Sequence, residues 1–136
     1  MRAATGIRYP VSGLTILLAW TAIDAVLHRW VLAPLYAQDT RLWRPFDQLN
    51  IALIYVVTFA LIATFVATYA LLLRPKSLRA GLTFGALMGV ALGAASGFGT
   101  YIHMPIPLAL AWGWFVGGWV KALAAGAIVG GLIREP

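Results

Sequence analysis

The sequence predicts an all-α integral membrane protein, an up-down bundle of four transmembrane helices that forms one domain over residues 1–136. Of the 136 residues, 62% are hydrophobic and only 10% are Asp, Glu, Lys or Arg, whereas a soluble domain is about 25% charged. Four apolar stretches each exceed the roughly 20 residues that cross a bilayer as a helix. They do not alternate apolar with polar residues, which excludes a β-barrel. The composition also excludes a nucleic-acid binder, a disulfide scaffold and a disordered tail.

The predicted spans are about 10–36, 49–73, 78–102 and 106–133. The first has the basic start of a signal peptide but no small-residue cleavage motif, so we expect it to be retained as a helix. Residues 37–45 form the longest loop, and Asp47 is the expected N-cap of the second helix. Ser77 is the expected N-cap of the third helix, and Pro107 begins the fourth. The short links predict that sequential helices are antiparallel neighbours.

The positive charges predict the orientation of the bundle. Six basic residues lie at one end and two at the other: Arg2, Arg8, Arg74, Lys76, Arg79 and Arg134 against Arg41 and Arg44. Because cytoplasmic loops carry the excess of Lys and Arg, both termini are expected in the cytoplasm.

The third helix carries the most regular pattern in the chain, a glycine at every fourth position. The stripe comprises Gly81, Gly85, Gly89, Gly93 and Gly97. The fourth helix has two rows of its own: Gly118, Ala122, Gly126 and Gly130 form one, and Gly113, Gly117, Lys121 and Ala125 form the other. Such stripes let two helix backbones approach closely. We favour packing of the third helix on the fourth within one protomer, with the second row left for an oligomer or partner interface as the alternative.

Four ionisable residues fall inside the predicted spans: Asp24, His28, Arg29 and Lys121. Counted from the outer helix ends at 1.5 Å per residue, Asp24 lies about 18 Å deep and Lys121 about 21 Å deep. We therefore predict an Asp24–Lys121 ion pair, with His28 one turn outward on the same face. A structural pair that fixes helix register is the favoured interpretation, and a proton or ion relay is the alternative. Arg29 points elsewhere, towards the headgroups or towards Asp39 or Asp47.

His28 and His103 lie on different helices of the outer half and are candidate axial ligands of a haem or pigment. Their depths differ by roughly 10 Å, which argues against a shared ligand. The favoured interpretation is a hydrogen-bonded His28 and an interfacial His103, with no cofactor and no metal. The chain has no cysteine and no motif of a hydrolase, zinc protease or phosphate-binding loop, so we do not expect an enzyme.

Four short motifs are similar to those of a family of small four-helix bacterial inner-membrane proteins without an assigned activity. They are Asp24-x-x-x-His28, Ala33-Pro34-Leu35-Tyr36, Leu42-Trp43-Arg44-Pro45, and Tyr101-x-x-Met104-Pro105-Ile106-Pro107 leading to Trp112. The resemblance covers nearly the whole chain. It implies a fold and a location in the bacterial inner membrane, and no activity.

Together these features favour a non-catalytic accessory or assembly subunit, in the lipid bilayer and within a homo-oligomer or larger membrane complex, without nucleic acid. The first alternative is a small oligomeric transporter or channel that uses Asp24, His28 and Lys121. The second is a haem- or pigment-binding subunit that uses His28.

Overall fold

The computed structural model describes residues 2–135, with side chains from residue 6 onward, and every regular element in that range is helical. The predicted all-α class is therefore confirmed. Four helices are long and apolar enough to cross a membrane: Gly6–Val31, Ile51–Leu72, Leu78–His103 and Leu108–Leu132. They are called the first to fourth helix below.

The first helix ends earlier than the sequence predicted. Its α-helical part, Arg2–Val26, passes into a wider π-helical turn, Leu27–Val31, and then breaks at Leu32. A separate short helix, Ala33–Tyr36, follows with Pro34 in its first turn. Proline has no N–H to donate within a helix and is tolerated in a first turn, so the chain restarts at this point. The prediction of one unbroken helix to residue 36 is wrong for this reason.

The third helix contains a second π-helical turn, Ala95–Gly99, between Leu78–Ala94 and Thr100–His103. A π-helical turn places one extra residue in the helix and changes which later side chains share a face. The sequence analysis predicted neither of the two turns.

Of the two predicted N-caps, that of the third helix is confirmed and that of the second helix is wrong. Ser77 caps the third helix as predicted, because its Oγ accepts from the Ala80 N–H at 3.1 Å. The second helix is capped by Asn50, whose Oδ1 accepts from the Leu53 N–H at 2.9 Å. The assignment of Asp47 as that cap is wrong, since Asp47 lies in the 3-10 turn Phe46–Gln48 and the helix begins only at residue 51.

The third and fourth helices pack antiparallel, backbone against backbone. A Cβ added at Gly89 would lie 2.9 Å from the Trp119 Cα, and one added at Gly93 would lie 2.6 Å from the Phe115 carbonyl oxygen. At the other three glycines of the stripe an added Cβ would lie even closer to a carbonyl oxygen, in the pairs Gly81 with Gly126, Gly85 with Ala122 and Gly97 with Ala111. The row of Gly118, Ala122, Gly126 and Gly130 is therefore the surface that receives the third helix.

The second row of the fourth helix is covered by the first helix. A Cβ on Gly113 would collide with the Leu32 side chain, and one on Gly117 would collide with the Leu27 side chain. The interpretation of this row as a free interface for a partner is wrong, because the chain's own first helix occupies it.

The second helix lies at the edge of the bundle. Only Ile62, Phe65, Val66 and Tyr69 are buried along it, where they join an apolar core with the first, third and fourth helices. Phe65 packs on Phe84 with ring centroids 4.6 Å apart. The first half of the second helix is largely exposed.

The C-terminal segment is tied to the turn between the second and third helices. The Glu135 N–H donates to the Lys76 carbonyl, and the Glu135 carboxylate lies 2.5 Å from Arg74 and 3.3 Å from Lys76. The hydrogen bond from Arg74 lowers the pKa of the Glu135 carboxyl. The Arg8 guanidinium reaches the Arg134 carbonyl at 3.5 Å, so this turn and both ends of the described chain lie at one end of the bundle.

Candidate functional site

Asp24 and Lys121 meet across the first and fourth helices. The Lys121 ammonium lies 2.7 Å from Asp24 Oδ2 and 2.9 Å from Oδ1, so it donates to both carboxylate oxygens. The lysine side chain is 23% exposed and the aspartate side chain 40% exposed. The first and fourth helices are thus joined by two short, charge-assisted hydrogen bonds in a partly enclosed place.

Trp20 holds Lys121 from the other side. Its indole N–H donates to the Lys121 carbonyl at 2.8 Å, and its ring centroid lies 5.0 Å from the ammonium. That distance allows a cation–π attraction. The lysine is thus fixed between a carboxylate and an aromatic face.

His28 continues the polar cluster one turn further along the first helix. Its Nε2 lies 3.8 Å from Asp24 Oδ1, and its Nδ1 lies 2.6 Å from the Tyr36 hydroxyl. The Tyr36 hydroxyl can donate to Nδ1, which leaves the ring proton on Nε2. At 3.8 Å from Asp24 Oδ1, Nε2 lies near the carboxylate but beyond hydrogen-bond distance.

Tyr36 is the part of the site that the sequence analysis missed. Its hydroxyl accepts from the Trp114 indole N–H at 2.7 Å, and its carbonyl accepts from the Trp43 indole N–H at 3.1 Å. In a regular α-helix the eighth residue after His28 would lie about 80° around the axis. The π-helical turn Leu27–Val31 and the break at Leu32 bring it back to the histidine. The available signal was Pro34, which marks that break.

The cluster faces a cavity of about 240 Å³. Its lining residues are Asp24, Leu27, His28, Ser96, Trp114, Gly117, Gly118 and Lys121. Since a water molecule takes about 30 Å³, the cavity has room for several waters. The two adjacent glycines of this lining let neighbouring helices come close, because a Cβ on Gly117 would collide with the Leu27 side chain and one on Gly118 would lie 3.3 Å from the Gly93 Cα.

The polar route is closed towards the end that carries the 74–77 turn. Beyond Lys121 the interior is the apolar core, where Ile16 and Val129 are fully buried and Trp20 is 5% exposed. Ser12 is buried there, but its hydroxyl donates to the Arg8 carbonyl of its own helix at 2.7 Å. The cluster therefore leads from the Tyr36 end to the middle of the bundle and stops.

Two of the residues considered from the sequence lie elsewhere. His103 is exposed at the end of the third helix and does not line the cavity. Arg29 is exposed, and the predicted contact with Asp39 is wrong because Asp39 binds Arg41 of its own loop at 3.0 Å. That hydrogen bond lowers the pKa of the Asp39 carboxyl.

The geometry fits a haem or pigment poorly. The Nδ1 of His28 is engaged by Tyr36 and its Nε2 faces Asp24. The cavity is also smaller than the roughly 300–1,000 Å³ of usual cofactor pockets. Within residues 2–135 no three His, Asp or Glu side chains come together as a group that could hold a metal ion.

The arrangement places a carboxylate, an imidazole and an ammonium group around a cavity with room for water. Comparison with known proteins found no matching family, curated protein or solved structure.

Proposed function

We propose that this chain is a non-catalytic multi-pass membrane protein and an accessory or assembly subunit of a larger membrane complex. Its four long helices cross the bacterial inner membrane as an up-down bundle with both termini in the cytoplasm. The observation that carries the proposal is the closed polar route: the cluster of Asp24, His28 and Lys121 ends against a tightly packed apolar core. Among the side chains of residues 6–135, the polar cluster does not continue past this core to the other end of the bundle.

The exposed surface supports insertion into a membrane. Large apolar side chains are exposed along all four helices, with Leu18 at 64%, Val56 at 62% and Leu87 at 68%. In water such a surface would drive aggregation, whereas in a bilayer it is the normal boundary with lipid. Six basic residues at one end against two at the other support the orientation.

An apolar groove supports the subunit role. It lies between the first and second helices, has a volume of about 650 Å³ and is lined in part by small residues: Gly13, Ala63, Ala67 and Ala70. In membranes, small residues at such spacing let another helix approach closely. The glycine rows of the third and fourth helices are already covered, so this groove is the surface best suited to a partner helix.

The test compares two variants in which an alanine of the second helix is replaced by leucine. Ala67→Leu fills the groove, while Ala52→Leu adds the same side chain at an exposed position outside the groove. The protein is extracted gently from alkali-washed membranes and weighed by native mass spectrometry. We expect a partner mass with the original chain and with Ala52→Leu, and its loss with Ala67→Leu. Recovery of a bare chain in all three cases would overturn the subunit role, and release by the alkaline wash would overturn membrane insertion.

A small transporter is the second candidate, and the polar cavity favours it. The Asp24 and His28 side chains are 40% and 45% exposed, and the cluster reaches the Tyr36 end of the bundle. Transport through a closed route would require the first helix to move relative to the fourth. In liposomes with an imposed pH gradient, a flux that Asp24→Asn abolishes and the loop variant Asp47→Asn retains would favour transport. The absence of flux with the original chain would remove this candidate.

A further inference from the structure

A second groove, with two arginines at its mouth, lies at the end of the bundle that carries the 74–77 turn. Its volume is about 550 Å³. Arg74 and Arg79 stand at its mouth, and its other lining residues are Leu73, Pro75, Ser77, Ala80, Thr83, Phe84 and Leu87. The groove is separate from the polar cavity, with which it shares no lining residue.

The mouth of this groove carries an excess of positive charge. Glu135 is shared by Arg74 and Lys76. Arg79 also lines the groove, so these three cations are matched by one carboxylate. Arg79 is exposed and forms no ion pair with any residue whose side chain the structure describes. Basic pockets of this kind between membrane helices are suited to anionic headgroups.

The floor of the groove is apolar and follows the third helix. Ala80, Thr83, Phe84 and Leu87 are spaced as one helix face, and Leu87 is 68% exposed. Arg79 and Leu87 are eight residues apart along the helix, a distance of about 12 Å at the rise of an α-helix. A charged mouth above a long apolar floor matches a molecule that has an anionic head and an attached hydrocarbon chain.

We propose that this groove is a binding site for one anionic phospholipid, with the phosphate at Arg74 and Arg79 and an acyl chain along Ala80 to Leu87. The proposal rests on the proposed location of the helices in a bilayer. A free phosphate would use the mouth and leave the apolar floor uncovered. A zwitterionic lipid would bring its own cation to a site that already has an excess of positive charge.

The experiment measures lipid binding to the full chain in detergent by native mass spectrometry, with phosphatidylglycerol and phosphatidylcholine of identical chains as probes. We expect phosphatidylglycerol to bind at least tenfold more tightly. Arg79→Gln should weaken it about fivefold, the usual contribution of one basic residue near a membrane surface. Arg44→Gln is the matched control, because Arg44 lines an apolar groove of similar volume, about 560 Å³, away from this turn. That control should change the affinity less than twofold.

A second variant distinguishes binding of a whole lipid from binding of a phosphate group alone. Thr83→Trp fills the apolar floor and leaves both arginines in place, so it should weaken phosphatidylglycerol by a similar factor. If Thr83→Trp has no effect and inorganic phosphate competes with the lipid, the site binds only a phosphate and the proposal is wrong. Equal binding of the two lipids, or an equal effect of Arg79→Gln and Arg44→Gln, would also overturn it. Extraction by the alkaline wash would instead contradict the proposed location, so the two failures are distinguishable.

Discussion

Replacing Asp24 with asparagine keeps the size of the side chain and leaves the Lys121 ammonium without its carboxylate. Removing one partner of a fully buried ion pair costs about 3–5 kcal/mol. Here the two side chains are 40% and 23% exposed, so water in the cavity compensates part of that loss. We therefore expect a loss of about 2 kcal/mol in the free energy of unfolding, roughly half of the fully buried value.

The assay is unfolding of the purified protein in mixed micelles with increasing SDS, followed by tryptophan fluorescence. The signal comes from six tryptophans, among them Trp20, whose ring lies 5.0 Å from the Lys121 ammonium. Asp47→Asn is the matched control, since it makes the same chemical change in an exposed 3-10 turn. The control should change the free energy of unfolding by less than about 0.5 kcal/mol.

A double-mutant cycle shows whether the pair itself is responsible. Lys121→Gln alone leaves the Asp24 carboxylate unpaired, whereas the double variant leaves no unpaired charge. We expect the double variant to be more stable than the sum of the single changes predicts, by at least about 1 kcal/mol. Exchanging the two residues, with lysine at 24 and aspartate at 121, should also restore much of the folded protein. Strict additivity, or equal stability of Asp24→Asn and Asp47→Asn, would refute the reasoning.

Three further predictions concern other parts of the fold. Gly85→Ala places a Cβ against a carbonyl oxygen of the fourth helix and should cost about 1–3 kcal/mol, while Gly99→Ala, whose nearest neighbour would be 3.8 Å away, should cost less; equal unfolding curves would contradict the backbone contact. Tyr36→Phe removes the acceptor of an indole N–H and should cost about 1–3 kcal/mol, measured by the same SDS titration; no change would mean that water replaces the hydroxyl. The Glu135 carboxyl has a pKa below its ordinary value of 4.5 in the folded chain, so its stabilising contact is complete above pH 4.5 and is lost as the pH falls through the lower, folded value. Exchange of the Glu135 amide proton, corrected for its intrinsic pH dependence, should therefore accelerate in that acidic range and become independent of pH in Glu135→Gln.

The sequence was sufficient for the helical class because hydrophobic length and composition decide it. Four apolar stretches of 20 or more residues leave few alternatives. The second, third and fourth helices begin and end within two residues of the predicted limits, whereas the first ends five residues before its predicted limit. The caps were harder to predict, since Asp47 and Asn50 are both good capping residues. Only the intervening 3-10 turn, Phe46–Gln48, decides that the helix starts after Asn50.

The part of the candidate site that depends only on the depth of residues in the membrane could be predicted from the sequence. Counting residues from the helix ends matched Asp24 to Lys121, and their side chains are 2.7 Å apart in the structure. The role of Tyr36 depends on a local change of helical register at Leu27–Val31. No residue within that turn indicates such a change, and the only nearby signal is Pro34, three residues after it. The direction of a side chain that follows an irregular turn therefore cannot be predicted by assuming the regular period of an α-helix.

The packing of the fourth helix explains why a charged pair belongs at this place. Its rows repeat a small residue at nearly every fourth position, so sliding the first helix by one turn, about 5.4 Å, would again place small residues beneath it. The short link 104–107 fixes the third helix against the fourth, but the first helix has no direct connection to the fourth. Lys121 interrupts the row Gly113, Gly117 and Ala125 at one position, and it donates to Asp24 in the register that places Leu27 over Gly117. We propose that this partly buried ion pair selects that register among several that close packing alone would allow, a use that is well attested for polar contacts between helices.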